Sequence, residues 1–146
     1  MVKRTSQAVW SGDGMTGQGT LDMQSGVFHK QPYSFKTRFA SEDGKAGTNP
    51  EELIGAAHAG CFAMALSFAL TDAGHVPTEL RVSASVTLDG GAGNFFIKTI
   101  ALDLQGNVPG ISEEKFLAVA EAAKKGCPVS KALAGTEITL AAKLVR

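Results

Sequence analysis

The chain has 146 residues, with 14 Lys and Arg against 14 Asp and Glu, so its formal net charge is zero, and 44% of its residues are hydrophobic. That length suits one domain, 1–146, able to bury a core without disulfide staples, and that composition excludes a disordered chain. A zero balance with no run of like charge gives no footprint for nucleic acid or an anionic membrane surface.

The first residues, MVKRTSQAVWSGDG, carry two positive side chains but no apolar core, so they are not read as a secretory signal. Two cysteines without such a signal suit a reducing, cytoplasmic setting, with the thiols kept for chemistry. The alternative is a pair of inert buried thiols, since free Cys also packs as a small hydrophobe.

Polar and apolar residues alternate along the N-terminal part, broken by glycines. Residues 5–10, 17–25 and 33–39 read as three short strands, with Ser11-Gly12-Asp13-Gly14 as the first turn and Pro32 blunting the third strand. SEDGKAG, 41–47, is a solvated loop. A long helix then begins. Asn49 suits its cap, Pro50 its first position, and Glu52 stands where it can bond back to the cap's own N–H. Glu51 and Glu52 suit the positive end of the helix dipole, and Gly74 suits its stop.

Residues 80–88 and 95–104 read as strands joined by the loop DGGAGN, 89–94. Ser112 caps a second helix that ends at Gly126, with Phe116, Leu117, Val119, Ala120 and Ala123 as its apolar stripe. Cys127-Pro128 opens a short helix to about Leu133, and residues 136–145 close the chain as a strand, with Ile138 and Leu140 on one face. The order is strands, long helix, strands, helix, strand, an α+β pattern.

Between Leu53 and Leu70 only His58 and Ser67 are clearly polar. That run touches the lower limit for a membrane span. Its Ala and Gly content drives insertion weakly, and its ends carry Glu51, Glu52 and Asp72 instead of basic or aromatic anchors. A helix apolar all round is otherwise buried on all sides, which six strands of one small chain can hardly achieve. Gly55, Ala56, Ala59, Gly60 and Ala63 leave room for another backbone. The expectation is a homodimer in which this helix packs on its partner copy.

Cys61 lies mid-helix, where no helix end lowers its pKa and burial alone raises it. As a nucleophile it needs a cation beside it. Cys127 caps the segment PVSKAL and faces unpaired N–H groups that favour a thiolate. Arg38 ends the third expected strand; it is either a solvated arginine or a planar fork for a thiolate or an oxygen anion. Glu51 either compensates the helix dipole or orients that guanidinium. His58, three residues before Cys61, is either a satisfied core histidine or a base. Two Cys and three His have no paired metal-ligand spacing, and neither GxGxxG nor a P-loop occurs.

QPYSFKTRF, GTNPEELIGAAHAGCFAMALS and GCPVS, in that order, closely resemble the OsmC branch of the OsmC/Ohr peroxidase family. WSG near Trp10 and the closing EITL strand extend the resemblance over nearly the whole chain. It implies antiparallel sheets around long central helices in an intertwined homodimer. It also implies thiol-dependent reduction of organic hydroperoxides, and of hydrogen peroxide, in oxidative and osmotic stress defence. By that resemblance Cys61 is the peroxidatic cysteine, Cys127 the resolving cysteine, Arg38 the family arginine and Glu51 its orienting glutamate. His58 marks the OsmC branch. The resemblance implies no cofactor beyond an external dithiol reductant, and suggests a lipoyl-type one.

Geometry adds one expectation. Glu51 and Cys61 are ten residues apart, about 15 Å along a helix, with directions differing by roughly 80°. One guanidinium cannot bridge them on a single straight helix, so the Arg38–Glu51 pair is expected to reach Cys61 from the other chain. The rival to catalysis is a redox-sensing or binding protein that uses the same cysteines without turnover.

Overall fold

The N-terminal alternation folds as expected for its first two strands and departs from expectation at the third. The computed structural model describes residues 1–91 and 93–146, and the chain divides into two units, Met1–Leu53 and Ile54–Arg146. In the first unit, β1 (Ser6–Ser11), β2 (Gln18–Met23) and β3 (Gln31–Ser34) form an antiparallel sheet in that order. Trp10 and Tyr33 both stand opposite Gly19, and their rings lie 5.4 Å apart. Any Cβ at Gly19 would run into both rings, so glycine is required there. Gly12, at φ +92, turns the chain between β1 and β2. The Asp13 carboxylate accepts the Thr16 hydroxyl and the N–H groups of Thr16 and Met15, which holds its pKa down to about 2.

Residues 33–39 were expected to form one strand, but the strand ends at Ser34 and Phe35–Phe39 forms a short helix, α1. The reason is local. Ser34 Oγ accepts the Thr37 N–H at 3.3 Å, and Thr37 Oγ1 accepts the Ser34 N–H at 3.0 Å, a reciprocal cap. Phe35 and Phe39 then meet at 4.8 Å across one helical turn. Arg38 therefore sits on a helix, not at a strand end.

Helix α2 (Pro50–Asp72) starts where expected, with Asn49 Oδ1 accepting the Glu52 N–H at 2.8 Å. The return half of the expected box differs: the Glu52 carboxylate takes the Thr48 hydroxyl at 2.8 Å instead. Gly74, at φ +86, ends the helix, and the His75 and Gly74 N–H groups close on the Leu70 and Thr71 carbonyls, both at 2.9 Å. By length and composition α2 could cross a membrane, its best window reaching a mean hydropathy of 1.8. Here it buries one stripe, Gly55, His58, Phe62, Leu66 and Leu70, and leaves Met64 and Phe68 about two-thirds exposed.

In the second unit, Phe62, Leu66 and Leu70 of α2 join Ile100, Leu102 and Leu104 in one buried cluster. Those three come from β5 (Asn94–Asn107), the middle of the order β4-β5-β6, with β4 (Glu79–Gly91) and β6 (Glu137–Val145) beside it. β4 and β5 are antiparallel and longer than the expected strands, pairing as far as Gly91 opposite Asn94. Ala92, within the expected loop, lies outside the described residues. β6 runs parallel to β5, which corrects the expectation of antiparallel sheets throughout. The connection through two helices returns the chain to the starting end of β5, and a strand entering there runs alongside it.

Helix α3 (Glu113–Gly126) is capped by Ser112, whose Oγ accepts the Lys115 N–H at 3.2 Å. It buries Phe116, Ala120 and Ala123, but Leu117 is 40% exposed and does not belong to the buried stripe. Helix α4 (Pro128–Ala132) follows at once, with Cys127 serving as the end of α3 and the start of α4.

Candidate active site

The core of the second unit brings the two cysteines together. Cys61 is part-buried on α2, Cys127 is fully buried at the α3–α4 junction, and both are free thiols with their sulfurs 3.2 Å apart. That contact is close enough for one proton to be shared. Burial pushes the Cys61 thiol up, the Val129 N–H pulls against it, and the neighbouring Cys127 sulfur adds to the rise, so the net direction is up. Burial also acts to raise Cys127, but it is outweighed by the Ser130 N–H, the Cys61 thiol, the Ser130 hydroxyl and the Val129 N–H, so its net direction is down. Cys127 makes no formal side-chain cap bond; its sulfur gains from N–H groups that lie close by. Within the single chain burial and the neighbouring sulfur thus oppose a thiolate on Cys61, while the surrounding donors favour one on Cys127. The expectation that Cys61 needs a cation to become the thiolate is sharpened by this bias.

His58 is fully buried on α2, one turn before Cys61, and its Nε2 lies 2.7 Å from Ser130 Oγ on α4. Burial lowers its pKa, so it is a neutral imidazole. Its Nδ1 is buried and has no hydrogen-bond partner among the described residues. The sequence reading left Ser130 unmentioned, although GCPVS contains it. The available signal was its spacing, since the third residue after a helix-capping cysteine turns back toward that cap.

The first unit pairs the other two candidates. Arg38 on α1 donates from Nη2 to Glu51 Oε1 at 2.6 Å and from Nε to both carboxylate oxygens at 3.2 Å. The side chain of Glu51, at the start of α2, is 12% exposed and that of Arg38 is 35% exposed. The guanidinium also stands 4.9 Å over the Phe39 ring. Two-point contact with one carboxylate fixes the plane of the fork and leaves its remaining N–H donors for another anion. Among the described residues, no three His, Cys, Asp or Glu side chains cluster as metal ligands would.

An α+β chain with a vicinal dithiol at its core and an oriented guanidinium belongs to the thiol-redox proteins in fold and in chemistry. More narrowly, the chain belongs to the OsmC family, since the family model described as OsmC-like protein matches residues 42–142. It is 50% identical over 139 residues to the protein named Peroxiredoxin OsmC of Escherichia coli strain K12, covering 95% of this chain and 94% of that one. It is 33% identical over 97 residues to the Organic hydroperoxide resistance protein OhrB of Bacillus subtilis strain 168, covering 66% of this chain and 69% of the relative. The crystal structure of the OhrB protein of Bacillus subtilis superposes with a TM-score of 0.69 at 27% identity, over 95% of this chain and 98% of that one. An OsmC-like protein of unknown function from Vibrio cholerae gives a TM-score of 0.75 at 15% identity, over 98% and 100% of the two chains, which establishes the shared fold.

Proposed function

We propose that this protein is a cysteine-based peroxidase for organic hydroperoxides, in which Cys61 attacks the peroxide, Cys127 resolves the product, Arg38 supplies the cation and Glu51 orients it. The family membership and the names of the relatives support the activity. The observation that carries the residue assignment is the 3.2 Å approach of the Cys61 and Cys127 sulfurs.

The chemistry follows from these residue types. The Cys61 thiolate attacks one peroxide oxygen, the O–O bond breaks, and the alkoxide leaves to take up a proton as an alcohol. Cys61 becomes a sulfenic acid. Cys127 displaces its oxygen, giving the disulfide and water, and an external dithiol regenerates both thiols by exchange. Lipoyl-type dithiols suit that last step, and hydrogen peroxide is a second substrate.

Arg38 resolves the electrostatic problem at Cys61. Alone, the dithiol favours charge on Cys127. A guanidinium placed beside Cys61 reverses that preference, and a change of one pKa unit requires only about 1.4 kcal/mol. Our reading brings Arg38 and Glu51 from the partner chain of a homodimer. The spacing of Glu51 and Cys61 along α2 supports it, as do Met64 and Phe68 exposed on that helix. A single domain over 1–146 is supported by the family match, which runs across the unit boundary after Leu53. The setting is a reducing cytoplasm, without nucleic-acid or membrane partners, in defence against oxidative and osmotic stress.

Turnover of tert-butyl and cumene hydroperoxide, compared with hydrogen peroxide, tests the activity, with dihydrolipoamide and thioredoxin as alternative reductants. Cys61→Ser is expected to fall to the uncatalysed rate. Undiminished turnover in that variant would remove Cys61 from the mechanism. Mixing Arg38→Ala chains with Cys61→Ser chains tests the shared site, because each mixed dimer then rebuilds one complete site. Activity above that of either variant alone is expected, and no gain would place Arg38 and Cys61 of one chain together.

A further inference from the structure

His58 is a fully buried polar side chain that the reaction above does not use. Among the described residues its side-chain hydrogen bond is to Ser130 Oγ, 2.7 Å from Nε2. Ser130 is itself only 7% exposed, and it stands on α4 three residues after the N-cap Cys127, where its hydroxyl acts to hold the Cys127 thiol down. The order is therefore His58, Ser130, Cys127, Cys61, all within Ile54–Arg146.

The protons in this chain can be assigned. A hydroxyl has one proton to give and two lone pairs to accept with. If Ser130 gave its proton to His58 Nε2, Cys127 would lose a donor and Nδ1 would carry an N–H with no acceptor. Among the described residues, Nδ1 is the atom without a partner. Buried N–H groups without an acceptor are rarer than under-satisfied acceptors. The arrangement that leaves Nδ1 bare puts the proton on Nε2, which donates to Ser130 Oγ, and Ser130 then donates to Cys127.

We propose that His58 and Ser130 are positioning residues for the resolving step: the His58 N–H fixes the Ser130 hydroxyl so that its proton is aimed at the Cys127 sulfur, holding Cys127 ready to capture oxidised Cys61. The inference rests on the reading that Cys61 is oxidised first. In the step itself, the Cys127 thiolate attacks the Cys61 sulfenic sulfur and an S–S bond forms. The S–O bond breaks with its electron pair on oxygen. The departing hydroxide takes the proton that Cys127 gave up, and leaves as water. Cys127 is oxidised, the Cys61 sulfenate is reduced to the disulfide level, and the Ser130 proton stays on Ser130.

Slower resolution leaves the sulfenic acid exposed to a second hydroperoxide, which converts it to a sulfinic acid. The partition between disulfide and sulfinic acid therefore reads how well Cys127 is held for capture. The test treats the reduced full-length protein with a small excess of cumene hydroperoxide. Rapid quenching and mass spectrometry then give the disulfide and Cys61 sulfinic fractions. His58→Phe and Ser130→Ala are expected to slow disulfide formation roughly tenfold and to raise the sulfinic fraction, while the first oxidation of Cys61 changes by less than about threefold. His58→Gln, whose amide can donate from near the Nε2 position, is expected to restore most of the parent partition. Ser130→Ala loses only one atom, so it keeps the test open should His58→Phe fail to fold. An unchanged partition in Ser130→Ala would overturn the proposal, and slowing in His58→Phe alone would then make His58 a packing residue. Absence of any oxidised Cys61 in the parent would instead overturn the reading on which the proposal rests.

Discussion

In Ile54–Arg146, Phe62, Leu66, Leu70, Ile100, Leu104 and Phe116 are completely buried, whereas in Met1–Leu53 the buried residues are the two glycines Gly17 and Gly19. Val9 and Met15 of the first unit stand 50% and 71% exposed. The dithiol is thus placed by a core that the second unit supplies itself. Arg38 and Glu51 are placed by a reciprocal cap, an aromatic pair and a two-point ion pair, in a unit that covers no large apolar side chain of its own. The two thiols are built into the second unit's own core, while the guanidinium proposed to act on Cys61 is held by local contacts within the first unit.

Substitutions can break this comparison, and the largest effect is expected in the core. Phe62→Ala should cost about 3–5 kcal/mol in urea unfolding, while Val9→Ala should cost less than about 1 kcal/mol. Equal costs would show that the first unit carries a comparable share of the stability.

Arg38→Gln sharpens the comparison at the level of chemistry. Under the proposed role of Arg38, removing the cation leaves burial and Cys127 to raise the Cys61 pKa, so less thiolate exists at neutral pH. Second-order oxidation of Cys61 should fall roughly tenfold for each pKa unit, with the loss greatest at low pH and recovered as pH rises. A loss uniform across pH would mean that Arg38 acts on the peroxide oxygens without tuning the thiol.

The smallest expected effect concerns His58. Its folded pKa lies below the ordinary 6.5 because it is buried, so the unfolded chain binds that proton first. Stability should therefore rise with pH between the folded pKa and 6.5 and level off above it. His58→Gln should flatten this part of the curve when urea midpoints at about pH 5.5 and about pH 7.5 are compared. An unchanged slope would assign the acid sensitivity to other groups.

The parts of the fold written in local signals were legible in the sequence. The Asn49 cap, the Gly74 stop and the Ser112 cap need only a few neighbouring residues, and the structure places α2 and α3 where those signals stand. Helix α1 was hidden because alternation in QPYSFKTRF reads as a strand, while the Ser34–Thr37 cap that overrides it is a weaker pattern. The uniform apolarity of α2 gave no hint of which stripe would be buried, because that choice belongs to the sheet it meets. Pairing across long separations was not legible at all. The parallel run of β6 beside β5 depends on the path of the intervening helices, and the His58–Ser130 contact joins residues 72 apart. The Cys61–Cys127 pairing was reached only through resemblance, since nothing near either cysteine names the other.

The most direct test of the account is non-reducing peptide mapping after reduced protein receives one equivalent of cumene hydroperoxide. The account predicts a peptide pair joined by a Cys61–Cys127 disulfide in most chains, with no such product when Cys61→Ser is treated alike. Hydroperoxide consumed without that linkage, or oxidation found first on Cys127, would contradict it.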